Sequence, residues 1–251
     1  MAEKRFNEID FLRGIALLLM LFSNFLTDLS IFRIADYAFN FWLARFSAFL
    51  FIFISGVSLH LSYEKAKKEG KANFMKFLKR GLFLFSLGLL ITFATLIFFK
   101  RGTIVFGILH FLGISAILGY FLLKLDKKQV LLISLLAFLA GIFLEPLRFP
   151  FPWLLWLGFI PDNFVSLDYF PLLPWFSFFA LGIALGKILY PGFRRKFALP
   201  GFIEGSSLIR KIFFFFGRHT LAIYLIHQLI FVFVLSLLFP GKVFALVRAP
   251  F

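Results

Sequence analysis

Residues 10–31 read DFLRGIALLLMLFSNFLTDLSI, an apolar stretch of the length that a helix needs to cross a bilayer, about 20 residues. The whole chain shares this character, since it is 61% hydrophobic, contains 43 phenylalanines and has a mean hydropathy of +0.96. A soluble core for 251 residues does not need so much apolar surface. The absence of cysteine excludes disulfides, thiolate metal sites and thiol nucleophiles. We therefore expect an all-α polytopic membrane protein in which residues 1–251 form a single transmembrane domain.

The sequence predicts a bundle of about seven transmembrane helices, because seven apolar stretches of suitable length follow one another. The segment 149–161 is too short and too rich in proline to cross, so we expect it to be an outer interfacial or re-entrant segment. The first stretch is predicted to be a retained span and not a signal peptide, since Asp10 and Arg13 interrupt it and no small-residue cleavage site follows. The predicted spans are 10–31, 37–63, 76–99, 105–124, 129–146, 171–190 and 212–239.

Lysine and arginine accumulate on the cytoplasmic side of membrane proteins, and their distribution here predicts the orientation. With the N-terminus in the cytoplasm and the C-terminus outside the cell membrane, 20 of the 27 basic residues lie on the cytoplasmic side. We interpret the net charge of +15 as this topology signal together with attraction to anionic lipid headgroups. Membrane lipids, and no nucleic acid, are therefore the expected partners. The basic residues left outside are Arg33, Arg45, Lys100, Arg101, Arg148, Lys242 and Arg248.

Polar side chains within the apolar stretches are candidates for a site, because hydrocarbon offers no water to solvate them. Five of them lie between mid-membrane and the outer interface when depth is counted at about 1.5 Å per residue from each span's entry. Asp168 precedes the sixth span at its outer mouth. Polar groups from several helices at one depth predict an intramembrane site. The five residues are Asn24, Asp28, Arg45, His110 and His227.

Residues 217–228, GRHTLAIYLIHQ, place polar side chains within an otherwise apolar span. Spacings of four and seven residues return to nearly the same helix face, which Thr220, Tyr224 and His227 therefore share. The first span has a similar stripe within about 60° of its circumference, because eleven residues make nearly three helical turns. A stripe of that length could line a path across the membrane. It comprises Asp10, Arg13, Asn24 and Asp28.

These features also have structural interpretations. Asp10 and Arg13 are spaced as a capping and salt-bridge pair at a helix end. Long or interfacial side chains can reach the membrane surface from inside a span, which would account for Arg45, His60, Arg218 and His219. Asp168 has the position of an N-cap for the sixth span. Trp153 and Trp156 are most simply aromatic-belt anchors, with a sugar-stacking platform as the alternative.

Six motifs, in order along nearly the whole chain, resemble the catalytic domain of the heparan-alpha-glucosaminide N-acetyltransferase family in its short prokaryotic form. This family belongs to the wider group of transmembrane acyltransferases. No single motif is specific, and the resemblance depends on their order. They are EIDFLRGIALLLMLFSNF at 8–25, ARFSAFLFIFISGVSL at 44–59, FLKRGLFLFSLGLLIT at 77–92, FGILHFLGIS at 106–115, DYFPLLPWFSFFALGIALGKILY at 168–190 and GRHTLAIYLIHQ at 217–228.

The resemblance implies glycan modification: transfer of an acyl group, usually acetyl, from cytoplasmic acetyl-CoA as co-substrate to an amine or hydroxyl of an extracytoplasmic glycan or glycolipid. It implies no metal. A basic cytoplasmic rim would bind the phosphates of CoA, and its candidates are Arg13, Arg80, Arg218 and His219. In the outer part of the membrane we expect His110 as general base, Asp168 or Asp28 orienting it, and Asn24, Arg45 or His227 as donors that stabilise the oxyanion.

One departure from the family leaves the base open. Lysosomal relatives are thought to use a histidine in the loop after the first span, whereas residues 29–36, LSIFRIAD, contain none. In many prokaryotic members the position of Asn24 is itself histidine. Either His110 is the base, or a carboxylate is, or the acceptor is an amine that needs little assistance.

Two other classes of function remain open at this stage. A polar stripe across the bilayer also suits a transporter or channel for a small solute, although no paired repeat or acidic ring supports one. A non-catalytic scaffold would use the histidines only to stabilise the bundle. The sequence also leaves open the acceptor, the acyl group beyond acetyl, and the oligomeric state, a homodimer included.

Overall fold

A computed structural model describes residues 6–35, 40–98, 102–199 and 208–242. These residues form eight α-helices joined by turns and short 3-10 segments, and the described part of the chain contains no β-strand. The helices are α1 (Asn7–Ile31), α2 (Asn40–Lys68), α3 (Phe74–Phe98), α4 (Ile108–Lys124), α5 (Lys127–Leu144), α6 (Leu172–Leu189), α7 (Leu208–Arg218) and α8 (Thr220–Leu238).

Six of these helices, α1, α2, α3, α5, α6 and α8, are long and apolar enough to cross a membrane. The apolar helix α4 has 17 residues, or about 26 Å, which lies at the short end of the spanning range. The protein is therefore a multi-pass all-α membrane protein, as its composition predicts. Residues 37–39 and 99 of the predicted spans lie outside the described residues. Segment 149–161 contains no spanning helix but only a 3-10 turn at Leu155–Leu157.

The last predicted span, 212–239, is wrong as a continuous helix. Its residues belong to α7 and α8, which are separated at His219, where φ is −105° and ψ is 18°. Gly217 disfavours helix just before this break, and the hydroxyl of Thr220 donates to the carbonyls of Phe216 (3.0 Å) and Gly217 (2.9 Å). His227 therefore lies about two turns from the start of its helix. The predicted continuous span placed it about four turns from the start.

The chain divides into two compact units, and the boundary falls within α2. The terminal unit comprises Met1–Ile54 and Ala198–Pro250, and so contains α1, α7 and α8. The central unit comprises Ser55–Phe197 and contains α3 to α6.

In the terminal unit, α7 packs closely on the first half of α1. A Cβ atom added to Gly14 would overlap the backbone carbonyl of Phe213, and one added to Gly217 would overlap that of Asp10. Because Gly14 faces Phe213 while Asp10 faces Gly217, α7 runs antiparallel to α1. Helix α8 reverses this direction and follows α1 towards its C-terminal end, where Leu26, Leu29, Phe32 and Leu235 form an apolar core.

In the central unit, α6 packs against α4 and α5, and α3 packs against α4. Polar side chains close several helix ends here. Lys187 on α6 donates to the carbonyls of Leu123 (2.7 Å) and Leu125 (2.9 Å) at the end of α4. His60 is 3% exposed, and its Nε2 lies 3.3 Å from the carbonyl of Tyr190 at the end of α6. His60 is thus buried, in contrast to the interfacial position considered from the sequence.

Candidate functional site

A row of polar contacts joins the second half of α1 to α8. Asn24 Nδ2 lies 2.9 Å from Nε2 of His227, and His227 Nδ1 lies 2.5 Å from the backbone carbonyl of Tyr224. A carbonyl can only accept, so Nδ1 of His227 carries the proton and Nε2 accepts from the Asn24 amide. The neutral tautomer therefore presents a lone pair, and not a proton, to Asn24. We call Asn24, Asp28, His227 and Gln228 the α1–α8 seam.

The second contact of the seam involves a buried carboxylate. Gln228 Nε2 donates to Asp28 Oδ1 at 2.9 Å. Asp28 is 5% exposed, and its other oxygen, Oδ2, is buried without a hydrogen-bond partner among the described residues. An unsatisfied buried acceptor costs about 1–3 kcal/mol, and a charged one costs more. Ionisable groups left in this state inside a membrane protein commonly mark functional sites.

Near the start of α1, where α7 packs against it, two arginines lie close to one carboxylate. Asp10 Oδ1 lies 3.3 Å from Arg13 Nη1, and Asp10 Oδ2 lies 3.7 Å from Arg218 Nε. The Asp10–Arg13 pair is thus present, as the spacing predicts. The arginine side chains are 32% and 46% exposed, so both remain accessible. His219 is exposed beside them and packs on Phe215 with a centroid separation of 4.8 Å. Two exposed guanidinium groups at one place suit an anionic ligand.

The polar stripe predicted along α1 is therefore matched by polar residues of α7 and α8. Asp10 and Arg13 meet Arg218 at one end, and Asn24 and Asp28 meet His227 and Gln228 further along. Fourteen residues separate Asp10 from Asn24, which corresponds to about 21 Å along the helix axis. The terminal unit thus holds a cationic end, where α1 meets α7, and the α1–α8 seam, which contains one carboxylate.

His110 occupies the first turn of α4 in the central unit, with both ring nitrogens engaged. Gly107 N–H donates to Nδ1 at 3.2 Å, and Nε2 lies 3.4 Å from Thr92 Oγ1, which itself donates to the carbonyl of Ile104 (2.5 Å). The ring is 1% exposed and stacks on Phe106, with centroids 5.6 Å apart. A Cβ atom on Gly88 would lie 2.8 Å from Nδ1. This His110 caps a helix, and its basic lone pair is occupied.

Asp168, in the loop before α6, caps the same helix. Its Oδ2 accepts from the backbone N–H of Ile108 at 3.0 Å, so it closes α4 and not α6, the helix that it precedes. Burial raises the pKa of the Asp168 carboxyl from 3.8 to about 6, and the Ile108 hydrogen bond opposes this shift. Burial also raises the pKa of Tyr169, whose hydroxyl donates to the Leu155 carbonyl at 2.7 Å. Asp168 does not hydrogen-bond to His110, so it does not orient that ring.

The two remaining predicted arginines lie outside these clusters. Arg45 is exposed near the start of α2, where its guanidinium lies 4.6 Å from the ring centroid of Phe41. Arg80 is exposed on α3, with no ion pair or hydrogen bond to a described residue. Both positions agree with arginines that extend towards the membrane surface. Within the described ranges no three His, Asp or Glu side chains are grouped so as to hold a metal ion.

Sequence reasoning did not assign a role to Gln228 or Thr92. Gln228 follows His227 in an apolar helix. The rule that a polar side chain inside a membrane span needs a partner, which singled out His227, could therefore have singled out Gln228 as well. Thr92 contributes one of several hydroxyl contacts to helix and loop carbonyls and has no distinguishing spacing.

Comparison with known proteins identifies one family over nearly the whole chain. The family model described as heparan-alpha-glucosaminide N-acetyltransferase, catalytic, matches residues 5–229. The matched region ends just after the α1–α8 seam and includes every residue of both clusters. This match confirms the resemblance indicated by the six ordered motifs. No curated protein and no solved structure matches the chain.

Proposed function

The chain belongs to the catalytic-domain family of heparan-alpha-glucosaminide N-acetyltransferases, and from that premise we propose that it moves an acyl group from cytoplasmic acyl-CoA to an extracytoplasmic glycan or glycolipid. Acetyl is the proposed group, and an amine or hydroxyl is the proposed acceptor. Membership makes the protein a membrane acyltransferase; the donor, the acceptor and the side on which each binds are parts of the proposal.

The observation that carries the proposal is the pairing of α1 with α7 and α8 into a cationic end and a polar, partly acidic end. Acyl-CoA is anionic at its nucleotide and neutral at its thioester, so the two ends suit the two parts of one donor. Arg13 and Arg218 would bind phosphate, for which guanidinium groups are well matched. His219 would add a further donor. Arg80, in the central unit, is a separate candidate for phosphate binding.

The transfer step requires a group that removes the acceptor's proton and donors that stabilise negative charge on the thioester oxygen. Asn24 uses one amide N–H on His227, and no other hydrogen bond joins its side chain to a described residue. Its second N–H is therefore available to the oxyanion. His227 acts through Asn24, because its Nε2 fixes the direction in which the amide points.

The proposed orientation follows the distribution of basic residues, with the N-terminus in the cytoplasm. The arginine pair near the start of α1 then faces the cytoplasm, where acyl-CoA is available. The α1–α8 seam lies further along α1, on the extracytoplasmic side of the arginine pair. The acceptor would be a component of the cell envelope.

Release of free CoA tests the proposal. The purified protein in detergent is incubated with acetyl-CoA and a panel of amino sugars, neutral sugars and glycolipids, and the new thiol is quantified with a chromogenic reagent. Because the chain contains no cysteine, the protein contributes no thiol to the signal. We expect acceptor-dependent thiol release and a thermal shift on adding CoA. The absence of both across the panel would contradict the proposal, and flux of a small solute through liposomes without acyl-CoA would favour a transporter instead.

A further inference from the structure

The titratable side chains of the candidate site differ in whether they can accept a proton. In His110 the lone pair of Nδ1 accepts the Gly107 N–H, and in His227 the lone pair of Nε2 accepts the Asn24 amide. Asp168 Oδ2 accepts from a helix N-terminus, and Asp10 is shared by two arginines. Asp28 is different, because no cation among the described residues pairs with it and its one side-chain hydrogen bond there comes from the neutral amide of Gln228.

Gln228 is the exposed partner of the buried Asp28. On a helical wheel Gln228 lies on the side of α8 opposite the exposed apolar stripe formed by Ile226, Leu229, Ile230, Phe233 and Leu237, which suits lipid. On the side of Gln228 the same helix buries Leu235, which is 1% exposed. Gln228 is nevertheless exposed, while Asp28 behind it is buried. The amide of Gln228 is therefore the exposed partner of a buried carboxylate, on the side of α8 away from these apolar residues.

We propose that Asp28 is the general base of the acyl transfer and that Gln228 is its cap, an amide N–H that occupies Asp28 Oδ1 until the acceptor's N–H or O–H replaces it. This inference rests on the proposed acyltransferase function and assigns the base that the family resemblance leaves open. The Gln228 side chain is long and exposed, so it can rotate away without unfolding α8. The Gln228 N–H donates to the carboxylate in the same way as an N–H of the acyl-accepting molecule would donate to its general base.

The step balances as follows in atoms and charge. Asp28 takes the proton from the acceptor nitrogen or oxygen as that atom forms a bond to the acyl carbon of the thioester. The second N–H of Asn24 donates to the oxyanion of the tetrahedral intermediate. The carbon–sulfur bond then breaks, the acylated acceptor is released, and the protonated Asp28 returns its proton to the CoA sulfur. Asp28 ends the cycle as a carboxylate, and no oxidant, metal or further reactant is needed.

The first test is the pair Asp28→Asn and Asp28→Glu. The asparagine variant keeps the shape and the contact with Gln228 but cannot take a proton, so kcat should fall by about 10² to 10⁴-fold with the KM for acetyl-CoA nearly unchanged. The glutamate variant keeps a carboxylate and should retain more activity than the asparagine variant. Asp162→Asn, at an exposed loop aspartate, is the matched control and should have normal kcat. Equal activity of Asp28→Asn and the wild type, or of the two Asp28 variants, would overturn the assignment.

The second test distinguishes a Gln228 side chain that the acceptor displaces from one that only holds α1 and α8 together. Gln228→Ala removes the competing N–H, so the KM for the acceptor should fall by about threefold, the weight of a typical interhelical hydrogen bond in a membrane protein, while kcat is retained. The matched control is Gln129→Ala, which removes the chain's other glutamine from the exposed cap of α5 and should leave both parameters unchanged. A loss of kcat in Gln228→Ala as large as that in Asp28→Asn would show that Gln228 is not displaced.

His110→Gln distinguishes the rival base. Glutamine can still accept the Gly107 N–H but is not basic, so the variant should keep kcat within about tenfold of the wild type. A loss of 10²-fold or more, with normal folding, would move the base to His110 and overturn our assignment while leaving the acyltransferase function intact. If the wild-type protein itself releases no thiol with any acceptor, the proposed function fails first.

Discussion

Replacing Gly14 by alanine should weaken the packing on which the cationic end depends. The added Cβ atom would overlap the backbone carbonyl of Phe213, and a backbone atom cannot rotate away as a side chain can. Overpacking of this kind costs about 1–3 kcal/mol, which exceeds the gain of up to about 1 kcal/mol from the higher helix propensity of alanine. For a chain of this size 1 kcal/mol corresponds to about 2–4 °C in Tm. With the full helix-propensity gain subtracted, a net cost of up to about 2 kcal/mol remains, so the expected fall in Tm is up to about 8 °C.

Thermal unfolding in detergent, followed by fluorescence of the four tryptophans, measures this effect. Gly241→Ala is the matched control, because no atom lies within 4 Å of its added Cβ, and its Tm should stay equal or rise slightly. Gly14→Ala should also raise the KM for acetyl-CoA, since Arg218 is carried by α7. A Tm for Gly14→Ala equal to that of Gly241→Ala would refute the close contact between α1 and α7.

Three further predictions concern the cationic end, the α1–α8 seam and the Asp168 cap of α4. Arg218→Gln should raise the KM for acetyl-CoA by about threefold to tenfold, a modest effect because the side chain is 46% exposed, whereas Arg194→Gln, at an exposed arginine, should not. A double-mutant cycle of Asn24→Leu and His227→Phe, measured by reversible unfolding in mixed detergent, should give a coupling of about 0.6 kcal/mol and at most about 1.7 kcal/mol; a value near zero would mean that the hydrogen bond does not contribute. The raised pKa of Asp168, about 6 against 3.8, means that the folded protein binds more protons than the unfolded chain between these values, so stability should fall as pH rises through this window. Comparing Tm at pH 4 and pH 7 in the wild type and in Asp168→Asn checks this, since the variant should lose that part of the pH dependence.

Hydropathy predicted the transmembrane segments because burying apolar side chains in lipid is local to each segment. It did not predict the break at His219, since α7 and α8 are both apolar and the bend depends on how Gly217 approaches the backbone of Asp10. Residue composition alone does not report such a contact.

The polar residues in the apolar spans were expected to need partners, but the partners themselves were not predictable from spacing. Asn24 and His227 are 203 positions apart, and Asp28 and Gln228 are 200 positions apart. Only the tertiary structure brings each pair together. The helical wheel did predict the stripe on α1, and the structure shows what faces it. Asp168 was expected to cap α6, but it caps α4 instead. The loop that contains Asp168 lies against the start of α4, where Ile108 N–H donates to its carboxylate.

The roles assigned by resemblance remain predictions, and the hydrogen bonds of each residue favour some of these roles over others. His110 was predicted to be the base, yet both of its nitrogens are engaged at the start of α4. Asp28 was predicted to orient a base, yet it has an oxygen without a partner. Hydrogen-bond saturation, which distinguishes the two residues, is a property of the folded chain and not of the sequence.

Transfer across a bilayer tests the central claim most directly. The protein is reconstituted into proteoliposomes that contain the acceptor, labelled acetyl-CoA is added only outside, and labelled product is measured inside. Protease protection of the termini selects the vesicles in which the N-terminus faces outwards. The account predicts labelled acceptor inside these vesicles, free CoA outside, and loss of both in Asp28→Asn. Free CoA without labelled acceptor, or acceptor labelled only when it shares the compartment of the donor, would contradict transfer along the α1–α8 pair.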